Sequence, residues 1–214
     1  MASSRDRILG RLRAGAVPFE KVEPVGDYLP VTPLPDTSPE ALTARFAEQA
    51  RKLLCEVHEC RGEAEALQVI LKLIGADRQV MAWDLANIPL PGLGQSLEAS
   101  GVTLSGARDE TVRVGITGVD AALASTGTLV QVSAPGQPRL PSLLPPVHVA
   151  VVRVEQIIPD FETWVADWRA EGLEGFRALS SVMLISGPSR TADIAMQTTM
   201  GMHGPGKLHV VLLL

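Results

Sequence analysis

Short apolar stretches rich in Val, Ile, Leu and Ala recur along this chain, separated by segments of helical period, and this alternation restricts the fold more than any other feature. Val80–Trp83, Val112–Thr117, Thr128–Ser133, Val147–Val154, Val182–Ile185 and Leu208–Leu214 read as strands, with Val102–Leu104 as a further extended piece. Ser38 followed by Pro39 is an N-cap followed by a first-turn proline, opening a helix through Leu42, Phe46, Ala50 and Leu53. Further helices are expected from Glu63 to Ile74, stopped by Gly75, and through Leu97 and Ala99 to Gly101. Others are expected over 118–124, from Phe161 to Arg169 and from Thr191 to Met200. Strands of four to eight residues alternating with helices predict an α/β domain over 39–214, with a mainly parallel sheet flanked by helices.

Ahead of that domain, residues 4–14 predict a short basic helix with Ile8 and Leu12 on one face and arginines on the others. From Val17 onward Pro18, Pro24, Pro30, Pro33, Pro35 and Pro39 predict an extended arm, packed on its own chain or on a partner subunit. Residues 1–38 are therefore set apart from the body.

A chain of 214 residues suits one globular domain, which buries roughly 70% of its unfolded surface. With four Phe, three Trp and one Tyr, the core is largely aliphatic. The net charge of −5 gives no support to a nucleic-acid-binding surface. Spanning a bilayer takes about 20 apolar residues. The run Val210–Leu214 falls short, and Pro145 and Pro146 break the run Leu143–Val152, so no membrane span is expected. Arg5, Arg7, Arg11 and Arg13 are followed by no apolar signal segment, and two cysteines make no disulfide framework. The expectation is a cytoplasmic protein.

Three loops rich in Gly, Ser and Thr follow strands, and ligands in open α/β sheets bind at the carboxyl ends of strands. In Ser186-Gly187-Pro188-Ser189-Arg190-Thr191-Ala192-Asp193-Ile194, free amides at a helix start, the hydroxyls of Ser186, Ser189 and Thr191, and Arg190 would form a phosphate or carboxylate site. The plain alternative is that Ser189 caps the helix, Asp193 complements its dipole and Arg190 is solvated. In Gly201-Met202-His203-Gly204-Pro205-Gly206-Lys207, His203 is a candidate acid/base or anion ligand and Lys207 a candidate charge; otherwise this is a helix stop with an exposed histidine. A helix over 191–200 would hold Arg190 and Lys207 about 15 Å apart, so they share a pocket only if the second loop folds back. The third segment offers Thr117, Asp120, Thr126 and Thr128 to a ligand, with Asp120 alternatively capping the short helix.

Other chemistries are weaker. Gly92-Leu93-Gly94-Gln95-Ser96-Leu97 lacks the third small residue of a dinucleotide fingerprint. Ser189, His203 and Asp193 supply the residue types of a hydrolase triad without a G-x-S-x-G elbow. Cys55, His58 and Cys60 hint at metal, but on a helix the two cysteines face different ways and no second cluster completes a site. That segment reads as ordinary helix surface, and no metal is expected in this chain.

Gly115-Ile116-Thr117-Gly118-Val119-Asp120-Ala121-Ala122-Leu123-Ala124, Thr126-Gly127-Thr128-Leu129-Val130, and Ser142-Leu143-Leu144-Pro145-Pro146 before His148 together resemble the LUD-domain family. So do the two later loops, from Ser186 to Ile194 and from Gly201 to Pro205. The resemblance covers roughly residues 78–214. It implies a fold like that of the ribose-phosphate isomerase, glucosamine-phosphate deaminase and CoA-transferase group. It also implies an accessory or co-catalytic role in oxidising L-lactate to pyruvate, beside iron–sulfur lactate utilization proteins that carry the clusters; this chain has no cofactor of its own. The rival reading is a free-standing enzyme or binding protein with an anion (phosphate, carboxylate or CoA-type) site, and homo-oligomerisation is open in either case. One departure is Ser125, where the family commonly carries Glu before the Thr-Gly-Thr turn; a hydroxyl without a base weakens any acyl-CoA transfer.

Overall fold

The structure, a computed structural model, describes residues 3–15, 33–106, 108–192 and 198–214. The chain divides into two compact units, Met1–Pro30 and Val31–Leu214. In the first, the expected basic helix is α1 (Ser4–Gly15), with Ile8 and Leu12 exposed. Its first turn is closed by Ser3 and Asp6: the Ser3 hydroxyl donates to the Asp6 carboxylate at 2.7 Å and accepts from the Asp6 amide at 3.1 Å. Of the expected proline-rich arm, residues 17–32 lie outside the described residues.

The second unit runs α2 (Pro39–Lys52), β1 (Glu56–Cys60), α3 (Glu63–Ile74), β2 (Gln79–Ala82), α4 (Leu93–Ala99), β3 (Thr103–Leu104), β4 (Val114–Thr117), β5 (Ala121–Leu123) and β6 (Thr128–Val132). It continues with β7 (Val147–Arg153), β8 (Ile157–Ile158), α5 (Phe161–Ala170), α6 (Glu174–Ala178), β9 (Val182–Ile185), β10 (Arg190–Ala192), β11 (Thr198–Met200) and β12 (Lys207–Leu213). Six strands pair in parallel in the order β1-β12-β7-β4-β2-β3, which is the mainly parallel sheet the alternation predicts. A smaller mixed sheet, β8-β5-β6-β9, lies beside it, and β10–β11 forms an antiparallel hairpin.

Residue alternation along the strands assigns the layers. Val147, Val149 and Val151 of β7, with Val211 and Leu213 of β12, pack under α3 and α4 through Ala66, Ile70, Ile74, Leu93 and Leu97. Ala150, Val152, Val210 and Leu212 face the other way, onto Phe46 and Ala50 of α2 and onto Ala122 and Leu129 of the small sheet. The outer face of that sheet (Ala121, Leu123, Val130, Val132) is covered by Trp164 of α5. The central strands are thus buried on both sides, which explains why they read as continuous apolar runs. Among the described residues no helix is long and apolar enough to cross a membrane.

The Ser38 hydroxyl accepts from the Ala41 amide at the start of α2, as the Ser-Pro pair predicts. Asp160 plays the same part for α5, accepting from the Thr163 amide at 2.8 Å and the Thr163 hydroxyl at 2.7 Å while itself buried. Asp160→Ala is expected to cost about 1–2 kcal/mol in urea unfolding, with Asp160→Asn retaining most of the stability. Equal stability of the alanine variant and the parent would show that the cap contributes nothing.

Three helical expectations are corrected. The segment 118–124 forms no helix: the Asp120 amide donates to Val130 O at 2.9 Å, its carboxylate accepts from the Val132 amide at 2.6 Å, and Ala121–Leu123 pairs with β6. Sheet pairing overrides the weak helix preference of the alanines. The helix expected over Thr191–Met200 is absent at its described ends: β10 and β11 pair antiparallel, with Arg190 opposite Met200 and Thr191 opposite Thr199, while residues 193–197, Asp193 and Ile194 among them, lie outside the described residues. The β-branched threonines suit strands. Residues 56–60 are likewise a strand, because α2 ends at Lys52 and Leu54 turns the chain through a left-handed conformation (φ 69°).

Candidate functional site

The ten residues singled out by sequence fall into two places. Thr117, the last residue of β4, points between the two sheets, where it meets Gln131 and His148, neither of them a site candidate by sequence. The Gln131 side-chain amide donates to Thr117 Oγ1 at 2.6 Å and to Gly118 O at 2.9 Å, and Thr117 Oγ1 lies 2.8 Å from His148 Nε2. Since the Thr117 oxygen already accepts from Gln131, its own O–H is free to donate to Nε2. His148 is then the neutral Nδ1–H tautomer. Burial pushes the imidazole down from its ordinary value to about 3, in keeping with that assignment. All three side chains are essentially inaccessible to water, and Gln131 Oε1 has no hydrogen-bond partner among the described residues. Gln131 is legible in principle as the one polar residue inside Leu129-Val130-Gln131-Val132. Nearby Asp120 is bound by the Val132 amide, and burial raises its carboxyl above the usual range. This buried network ties the two sheets together through side-chain hydrogen bonds.

The remaining candidates gather where the small sheet and the hairpin meet α2. Thr126 Oγ1 donates to Thr128 Oγ1 at 2.9 Å, and Thr128 Oγ1 and Ser186 Oγ share a bond of 2.8 Å, so three hydroxyls from two loops form one chain. Gly127 (φ +70°) and Gly187 (φ +91°) permit this, because an added Cβ would approach Ala50 N and Leu53 O, each to 2.4 Å. Arg190 is exposed, and its charge acts on the buried Cys55 thiol; burial prevails and pushes that thiol up to about 11, leaving it protonated at neutral pH.

The hairpin also removes the 15 Å objection. The Ser189 amide donates to Pro205 O and the Gly201 amide to Ser189 O, both at 2.8 Å, so the two Gly-rich loops are tied directly together. His203 and Lys207 are exposed on the second of them, and Thr191 is half-buried on β10. The expected position is corrected, however. Lys207 opens β12 opposite Val147, the first residue of β7, so this cluster sits at the amino ends of the parallel strands. The reason is that β9, which leads into it, belongs to the mixed sheet. Without a helix at residue 191, the anion-binding helix start disappears; what remains is an exposed Arg190, four residues after Ser186 of the hydroxyl chain.

A sequence profile of the LUD domain matches residues 43–213. The chain belongs to the LUD-domain family. Among relatives, this LUD domain is 33% identical to the lactate utilization protein C of Shouchella clausii, over 81% of this chain and 80% of that one. It is 30% identical to the protein of the same name from Halalkalibacterium halodurans, over 78% and 77%. With the lactate utilization protein C of Exiguobacterium the match is 37% but spans less than half of each chain, 47% of this one and 44% of the other. A solved DUF162 family protein from Deinococcus radiodurans has a similar structure, with a TM-score of 0.62 at 26% identity, covering 85% of this chain and 99% of that one. Ser125, before the Thr126-Gly127-Thr128 turn, is buried, and its amide donates to Pro159 O at 2.8 Å.

Proposed function

We propose that this LUD domain is an accessory or co-catalytic component of L-lactate utilisation. In this reading it holds a small carboxylate at Arg190 and the neighbouring hydroxyls, while iron–sulfur partner proteins accept the two electrons released as lactate becomes pyruvate. The observation that carries the proposal is the similarity to two proteins named lactate utilization protein C across about four-fifths of the chain. The composition supports this division of labour: two cysteines, both buried, fall short of the four thiolates that usually hold a cluster.

Affinity purification of the tagged chain from its own cells under anaerobic conditions tests the proposal. Iron–sulfur proteins are expected to co-purify, and the eluate to reduce a dye only when lactate is present. Arg190→Ala should lower kcat/KM for lactate in that assembly about ten- to hundredfold, the usual worth of a hydrogen bond to a charged group. A chain that elutes alone and inactive would overturn the proposal. The exposure of Arg190 favours a second reading, an independent anion-binding protein. In that case inorganic phosphate would raise the Tm of the isolated chain, and Arg190→Ala would abolish the rise.

A further inference from the structure

Because residues 56–60 form a strand, their side chains alternate between two faces and meet those of the next strand. Glu56 and His58 project from the same face as Cys60, toward α3. The register pairs Glu56 with His209 of β12, whose side chain shares that face with Val211 and Leu213. His58 Nε2 lies 3.1 Å from His209 Nδ1, and Glu56 Oε2 lies 3.5 Å from the same Nδ1. All three candidate ligand atoms fall within 4.8 Å of one another. The imidazoles are stacked, with centroids 5.4 Å apart and planes inclined by 25°.

The two separations from His209 Nδ1 are those of neighbouring ligands on one metal ion. Two donors each about 2.05 Å from a tetrahedral zinc lie about 3.3 Å apart. Histidine binds a metal through a neutral ring's lone pair, and both rings turn a nitrogen into the cluster. His209 is buried, His58 half-buried and Glu56 exposed, so the carboxylate side of the cluster is open to water and can supply a fourth ligand. Lys72 of α3, Lys207 and Arg113 oppose a cation there, with Arg113 already paired to Asp77 at 2.7 Å. Glu56 supplies the negative charge.

We infer that Glu56, His58 and His209 form a binding site for a divalent transition ion of the zinc type. The ion clips the edge strand β1 to β12. The site lies outside the hydroxyl cluster of the proposed anion site and does not depend on it.

The test is calorimetric titration of the metal-free full-length chain with Zn2+, followed by the visible spectrum of the Co2+ form. One ion per chain is expected. Glu56→Gln, at an exposed position, and His58→Ala, at a half-buried one, should each weaken binding at least tenfold while circular dichroism stays unchanged. Zn2+ should raise the Tm of the parent more than that of either variant. The Co2+ spectrum should show d–d bands of nitrogen and oxygen ligation without a thiolate charge-transfer band. Absence of binding at tens of micromolar Zn2+ would overturn the assignment and leave a hydrogen-bonded histidine pair. Binding that survives both substitutions, or a thiolate band from Cys55 or Cys60, would overturn it equally.

Discussion

Gly115→Ala is expected to abolish stable folding or to cost at least about 3 kcal/mol in urea unfolding, the upper range of overpacking penalties. Gly115 lies within β4, opposite His148 of β7, with ordinary strand backbone on both sides. A methyl group there would sit 1.8 Å from Pro141 O, 2.8 Å from the Pro141 carbonyl carbon and 3.0 Å from Pro145 Cγ. The first two are backbone atoms of the short turn Leu140–Ser142, so no side-chain rotation relieves the clash. To accommodate the methyl, the segment carrying Ser142-Leu143-Leu144-Pro145-Pro146 has to lift off the sheet. That segment is also bound to the start of β12 through the Lys207 amide and Pro146 O at 3.2 Å. The displacement should therefore reach the Gly-rich loop at 201–206. Gly101→Ala is the control: the added carbon meets Arg78 Nη1 at 3.4 Å, and its φ of +68° makes it a strained but local substitution. Similar unfolding midpoints for Gly115→Ala and the parent would show that Pro141 does not rest on β4.

Stability should fall by about 3 kcal/mol between pH 6.5 and pH 4 through His148 alone, at about 1.4 kcal/mol per unit of pH. The unfolded chain takes up a proton on His148 near pH 6.5, whereas the buried native ring resists it down to about 3. Below pH 6.5 the unfolded state therefore binds more protons, and stability is lost as the pH falls. Protonation would also strip Nε2 of the lone pair that accepts the Thr117 hydroxyl, leaving a charge between the two sheets. His58 and His209, also lowered by burial, add to the same trend. Asp120, raised by burial, works against it. Urea midpoints at pH 7 and pH 4 read the slope, and His148→Gln should flatten it despite a lower starting stability. An NMR titration of the parent provides the independent check. A His148 ring that takes up its proton near pH 6.5 in the folded protein would sink the prediction.

Much of the scaffold and part of the hydroxyl cluster are legible in the amino-acid sequence. The Ser38-Pro39 start of α2, the Gly75 stop of α3 and the apolar runs of β7 and β12 follow from local rules, because caps and buried strands are selected by chemistry within a few residues. The hydroxyls of Thr126, Thr128 and Ser186 stand out by composition, and they do share hydrogen bonds. Their location does not follow from it. The carboxyl-end rule holds for strands of the parallel sheet, and nothing local to β9 signals that it pairs with β6 in the other one. Gln131 and His148 stay hidden because each is a single polar residue in an apolar strand. Its meaning depends on what the facing sheet presents.

What the sequence by itself determined is the class: a strand–helix alternation that forces a mainly parallel sheet, an aliphatic core, and motif loops specific enough to mark the family. Tertiary structure decided which weak local preferences survived. Residues 118–124, 191–200 and 56–60 each carry a period compatible with a helix, and among them every described strand is set by pairing with a partner distant or adjacent in sequence. Backbone hydrogen bonds in a helix close within four residues and can be read locally. Those of a sheet join Glu56 to His209 across the whole length of the domain, and only folding brings such residues into contact.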